Sequence, residues 1–257
     1  MTPEVNVSRG VEEITRISET LSAVKWYFEL KNLSLRNALL LRCPLSVEMQ
    51  KDLRQYYSQY FSGLLSATEL LLEKEYENHI AFKKTLEAGF VFDGFPDGEK
   101  NYSYLREFRN SVIHRGLDIS SAAHIQDNFP QLISPSPVTT RSGKCSYTAF
   151  GYYLIEIIRR CESVIGNIFL GHFQEYDLFN VYLSEDKAGP LRKKFILESN
   201  AMPEWVKQMA LDSIDNIDYD AIHKASIDNL VDVLKTDVLL QISSNPSFKR
   251  DWLKPAP

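Results

Sequence analysis

Apolar residues recur every three or four positions through Val11, Ile14, Ile17, Leu21, Val24 and Phe28. That is the period of one helix face. The pattern predicts a helix to about Leu41, where Pro44 stops it. Ser46 is placed to cap a second long helix, with Met49 close by. Its apolar face is Leu53, Tyr56, Tyr57, Tyr60, Leu64, Ala67, Leu71 and Leu72, and the pattern runs on, with a break, to about Ala88 before Gly89. The cluster Asp93-Gly94-Phe95-Pro96-Asp97-Gly98 predicts a turn. A short helix from about Tyr102 to Arg115 follows, ended by Gly116.

Phe129 to Ser146 holds Pro130, Pro135, Pro137 and Gly143 among Ser and Thr. It reads as a long loop or a marginal hairpin, with Val138-Thr139-Thr140 as its strand candidate. A strong helix is predicted from about Thr148 to Leu170. Beyond it, Asp, Asn and Ser punctuate shorter helical pieces at roughly Gly189–Ser199, Pro203–Ser213 and Tyr219–Gln241. The expected fold is all-α. Residues 1–175 form a four-helix bundle with the loop inserted before the fourth helix, and residues 176–257 form an acidic helical extension packed on it.

Composition narrows the function. Apolar residues make up 44% and charged residues 25%, which suits a chain with a packed core. The net charge of -5 excludes a globally basic nucleic-acid binder, so any basic site must be local. Asp212 to Asp237 contains seven Asp against Lys224 and Lys235, a sum of -5, which leaves the remainder balanced. Cys43, Cys145 and Cys161 form no Cys-x-x-Cys pair and read as reduced thiols. The first twenty residues carry Glu4, Arg9, Glu12, Glu13, Arg16 and Glu19, which argues against a signal peptide. Glu156, Arg159, Arg160 and Glu162 interrupt the most apolar segment, Tyr152 to Phe173, and argue against a membrane span. The expectation is a cytoplasmic protein without membrane contact, cofactor or metal.

Arg106 to Gly116 carries the candidate chemistry. With Leu105 at 0° on a helical wheel, Phe108 falls at about 300° and Val112 at about 340°, so the apolar stripe centres near 330°. Arg109 lies at about 40°, Arg106 at about 100°, Asn110 at about 140° and His114 at about 180°. His114 therefore points away from the core, with Asn110 as its i, i+4 neighbour. A plain reading gives His114 and Arg115 the role of cations at a helix C-terminus, with Arg106 and Arg109 on a solvated face. Lys100, Arg106, Arg109 and Arg115 against Glu107 give a local sum of +3.

Arg109-Asn110-Ser111-Val112-Ile113-His114 resembles the signature of the HEPN superfamily: an Arg, then a polar residue, with a His four to six residues after the Arg near a helix end. The resemblance implies a four-helix HEPN-like bundle and a metal-independent endoribonuclease, of a kind found in defence, toxin–antitoxin or RNA-processing systems. It implies His114 as general acid/base, Arg109 as phosphate stabiliser and Asn110 as the group that orients one of them. It also implies a homodimer, in which two motifs line one cleft. The residue types suit the chemistry. Cleaving RNA without metal needs a proton shuttle, which His supplies near neutral pH. It also needs positive charge on the developing phosphorane, which a guanidinium supplies. Arg106, Arg115, Lys100 and Tyr102 are then candidate RNA contacts, although Tyr102 equally suits packing against the bundle. Gly116 stands where some relatives carry a Tyr that a partner modifies, which argues against that regulation here. The other reading is a non-catalytic HEPN-like module that binds RNA or a nucleotide. A cognate antitoxin or regulatory protein is a candidate partner.

Other motifs are weaker. Gly143-Lys144-Cys145-Ser146 lacks the upstream Gly of a phosphate loop and reads as loop. Asp215, Asp218 and Asp220 lack the Gly and distal Glu of a calcium loop and read as a solvated face with a cap. That acidic region could cover a basic cleft as a brake, or simply keep a helix face soluble.

Overall fold

A computed structural model of the chain describes residues 10–183, 185–214 and 217–243, most of them helical. Glu4, Arg9 and Asp215 lie outside the described residues. The first helix, α1, covers Val11–Leu40, and α2 covers Val47–Leu72. Ser46 caps α2, its hydroxyl accepting from the Met49 N–H at 3.2 Å. The break in the apolar pattern falls after Leu72, and α3 covers His79–Gly89. Helix α4 covers Gly98–Arg115 and starts a turn earlier than apolar spacing predicts. Asp97 explains this: its carboxylate accepts from the Lys100 N–H at 3.0 Å, so the helix begins at its cap.

The proline-rich segment is two hairpins. Strand β1 (Ala123–Gln126) pairs antiparallel with β2 (Phe129–Leu132), and β3 (Val138–Thr139) with β4 (Ser146–Tyr147). Helix α5 covers Leu154–Glu175, later than apolar periodicity suggests. The Glu156 carboxylate accepts from the N–H groups of Tyr152 and Tyr153 at 2.7 and 3.2 Å, which fixes the start there. The shorter pieces are α6 (Glu185–Glu198), α7 (Glu204–Ile214), α8 (Tyr219–Lys235) and α9 (Val238–Ser243). What reads as one segment from Tyr219 to Gln241 is two helices, because Asp237 caps a new start through the Leu240 N–H at 2.9 Å. Asp218 likewise accepts from the Ala221 N–H at 2.9 Å. Both carboxylates cap helix starts, and Asp218 is exposed, which agrees with its reading as a solvated cap. No helix among the described residues is long and apolar enough to cross a membrane.

The elements gather into two compact units. One holds the described residues of Met1–Ser22 and Phe173–Asp232. In it Tyr182 stacks on His223 at 4.4 Å, and His223 Nε2 lies 2.8 Å from the Phe179 carbonyl. The other holds Ala23–His172 and the described chain from Val233 on. Its core is aromatic. Phe28 of α1 meets Phe169 of α5 edge-on at 5.0 Å, Phe82 of α3 meets the same ring at 5.2 Å, and Phe61 of α2 meets Phe108 of α4 at 4.9 Å.

Inside this core lies a buried ion pair that no periodicity predicts. Lys31 Nζ donates to both oxygens of Glu162 at 2.8 Å and to Asn32 Oδ1 at 2.8 Å. The Tyr60 hydroxyl donates to Glu162 Oε1 at 2.7 Å. The two charged side chains are 2% and 3% exposed. Burial, and then the Glu162 charge, hold the Tyr60 hydroxyl and the Cys161 thiol well above their ordinary pKa values.

Removing one partner strands the other charge in a low dielectric. Glu162→Ala and Lys31→Met should each lower stability by about 3–5 kcal/mol in urea unfolding, while Lys31→Met/Glu162→Met recovers most of the loss. Single variants as stable as wild type would contradict this account.

His172 provides a second test. It is buried, its Nε2 2.8 Å from the Tyr76 hydroxyl, and burial lowers its pKa to about 4 from 6.5. The unfolded chain therefore takes up a proton that the folded chain refuses. Stability is unaffected by this group above pH 6.5 and falls as pH drops toward about 4. The loss reaches at most ~3 kcal/mol. Melts across that range should show the slope, and His172→Gln should flatten it.

Candidate functional site on helix α4

The motif helix is pinned at both ends. Gly98 faces the Glu87 carbonyl of α3 so closely that a Cβ would collide with it. One turn on, the buried Asn101 amide donates to the Phe90 and Phe95 carbonyls at 2.8 and 2.9 Å, tying the preceding turn to α4. Leu105, Phe108 and Val112 are buried, as the wheel requires. The Tyr104 hydroxyl donates to the Pro135 carbonyl at 2.9 Å. Gly116 adopts φ 70°, and its N–H closes on the Ser111 carbonyl.

His114 is exposed in the last turn, and among the described residues its side chain has no hydrogen-bond or ion-pair partner. Asn110 is half-buried and makes no hydrogen bond to His114. Arg109 has a side chain only 17% exposed and pairs with Glu69 of α2, while its Nε is buried without a hydrogen-bond partner. Arg115 folds back on its own helix, bonding the Glu107 carboxylate and the Ser111 hydroxyl, and also donates to the Thr139 carbonyl of β3. Lys100 pairs with Asp97 at 2.8 Å. Tyr102 is buried, its ring 5.7 Å from Phe90 and its hydroxyl 2.8 Å from Thr68 Oγ1, and burial raises its pKa to about 12. That placement is the packing use of Tyr102; the ring offers no open face for a base. Arg106 is exposed and unpaired among the described residues.

The local basic patch is therefore smaller than the helix sequence suggests. Adding Asp97 and Glu69, which pair with Lys100 and Arg109, and Glu99 in the first turn of α4, lowers the local sum from +3 to 0. Glu69 and Thr139 are absent from the motif reading because they lie 40 and 24 residues away in sequence. No spacing rule links such positions.

The Arg109–Glu69 pair sets different expectations for two alanine variants. Arg109→Ala should cost about 1 kcal/mol, because Glu69, 37% exposed, rehydrates when released. His114→Ala should change stability by less than about 0.5 kcal/mol. Chemical denaturation checks both, and a large loss on removing His114 would mean that the ring is structural.

Comparison with known proteins gives no family model, no curated protein and no solved structure that matches this chain.

Proposed function

We propose that the chain is a metal-independent endoribonuclease of HEPN type, built around a four-helix HEPN-like bundle and acting on single-stranded or loop RNA in the cytoplasm. The observation that carries this reading is the exposed, unpartnered imidazole of His114 on a helix that also holds Arg109 and is pinned at both ends. A fixed backbone with an open acid/base group is what proton transfer requires.

In this reaction a neutral His114 takes the proton of a ribose 2′-hydroxyl as its oxygen attacks the adjacent phosphorus. The bond to the 5′-oxygen breaks, and an imidazolium returns the proton to that leaving oxygen. The products are a 2′,3′-cyclic phosphate and a free 5′-hydroxyl. Arg109 stabilises the phosphorane charge. Five residues separate Arg109 from His114, about 140° around the helix, an awkward span for one phosphate. A homodimer, in which a second copy brings its own motif to the same cleft, resolves that span. A cognate antitoxin or regulatory protein would act by covering the cleft.

The Arg109–Glu69 pair favours a second reading, a non-catalytic RNA- or nucleotide-binding module, since the guanidinium already has a carboxylate. The two separate on incubation of the protein with RNA in EDTA. Cleavage that leaves cyclic phosphate supports the enzyme, and binding without cleavage supports the module.

For the enzyme, His114→Ala and Arg109→Ala should each lower the rate by ~10²-fold or more. Light scattering should give about twice the 29.6 kDa chain mass. Mixed Arg109→Ala and His114→Ala chains should regain part of the activity. Strict dependence on a divalent ion, or variants as active as wild type, would refute the assignment.

A further inference from the structure

With no net positive charge left around α4, it matters for holding a polyanion what else lies against that helix. The β3–β4 hairpin does. The Arg115 guanidinium, adjacent in sequence to His114, donates to the Thr139 carbonyl, and both strands of the hairpin pack on α4. Two residues past Thr139 the chain reaches the hairpin tip, which presents Arg141 and Lys144 to solvent. The side chain of neither has an ion-pair or hydrogen-bond partner among the described residues; the Lys144 backbone N–H donates to Ser142 Oγ at 3.4 Å.

The tip has a defined backbone. The Thr140 N–H donates to the Cys145 carbonyl at 2.9 Å, and the Gly143 N–H to the Thr140 carbonyl at 2.8 Å. The Cys145 N–H also donates to Thr140 Oγ1 at 3.1 Å. Gly143 sits at φ 72°, in the left-handed region that a side chain disfavours. Such a turn fixes where the Arg141 and Lys144 side chains leave the backbone.

A second observation is independent of this geometry. Between Asp127 and Glu156 the chain has no Asp or Glu, and its charged residues are Arg141 and Lys144 alone. The chain as a whole has 34 Asp and Glu in 257 residues. The hairpin is thus a basic, carboxylate-free element packed on the helix that carries an exposed histidine, on a chain that is acidic overall.

We infer that the β3–β4 hairpin is a phosphate-binding arm, in which Arg141 and Lys144 hold the backbone of single-stranded RNA next to His114. The inference rests on the ribonuclease reading for its ligand, and it assigns the binding role to the hairpin rather than to the ion-paired cations of α4. Two unpaired cations can release counterions from a polyanion, whereas cations already paired with carboxylates release fewer. Contacts of this kind position the strand without reading its bases.

The test is binding of an unstructured, labelled RNA oligonucleotide in EDTA. It uses the full chain carrying His114→Ala, so that the RNA survives. Adding Arg141→Gln/Lys144→Gln should weaken binding on the order of tenfold at 0.1 M salt and reduce the slope of log affinity against log salt by about 1.4. Lys83→Gln/Lys84→Gln, an equal charge change on exposed positions of α3, should leave both nearly unchanged. The melting temperature of each variant checks that the fold persists. Equal effects from the two double variants would mean diffuse attraction and overturn the inference, as would no effect from the hairpin variant or no RNA binding at all. Binding through the hairpin by a wild-type chain that cleaves nothing would sustain the inference and remove the ribonuclease reading instead.

Discussion

The unit that carries α4 is organised around one costly interaction, the buried ion pair of Lys31 and Glu162. Removing two charges from water costs several kcal/mol per ion, and the pair persists because its hydrogen bonds are filled. Glu162 accepts from Lys31 with both oxygens and from the Tyr60 hydroxyl. Lys31 also donates to Asn32, whose amide reaches the Val233 carbonyl at 3.3 Å. One cluster thus fixes α1, α2 and α5 against one another and engages the end of α8. A hydrophobic contact tolerates sliding by a fraction of a side chain; this network does not, so it sets register.

The motif helix inherits that register through adjacent rings. Tyr60, bonded to Glu162, contacts Phe61 edge-on at 5.0 Å, and Phe61 in turn contacts Phe108 of α4. Phe108 stacks on Tyr104, whose hydroxyl holds the Pro135 carbonyl in the segment leading to β3. A continuous set of packed groups therefore runs from the buried charges to α4 and to the segment that leads into the hairpin packed on it. Electrostatics act differently at the rim. Lys100 pairs with Asp97 in a hydrated setting at little net gain, while the less exposed Arg109 and Arg115 pair with Glu69 and Glu107. The pairing reduces the field that the bare sequence of α4 suggests, and the carboxylate-free hairpin remains as a positive element facing solvent.

Much of this was legible in the sequence, element by element. The three-to-four spacing from Val11 to Phe28 gives α1, and Ser46 gives the start of α2. Gly116 gives the end of α4, and the wheel of α4 separates buried Leu105, Phe108 and Val112 from exposed Arg106 and His114. Helix starts were less legible where polar caps preceded the apolar pattern. Asp97 draws α4 back toward the turn, Glu156 delays α5, and Asp237 divides the last helical stretch. In each case a side chain satisfies backbone N–H groups that periodicity does not count.

The sequence by itself therefore determined the helical class, the course of α1, the start of α2, the end of α4 and the outward face of His114. Those follow from hydrophobic period and local capping, which act over a few residues. Tertiary structure alone decided the partners: Glu69 for Arg109, Thr139 for Arg115, Glu162 for Lys31, and the hairpin beside the motif. Those pairings join residues tens of positions apart, up to 131 for the buried pair. Chain connectivity places no constraint on such distances; burial of the aromatic core brings the groups together, and their charges then pair where they meet.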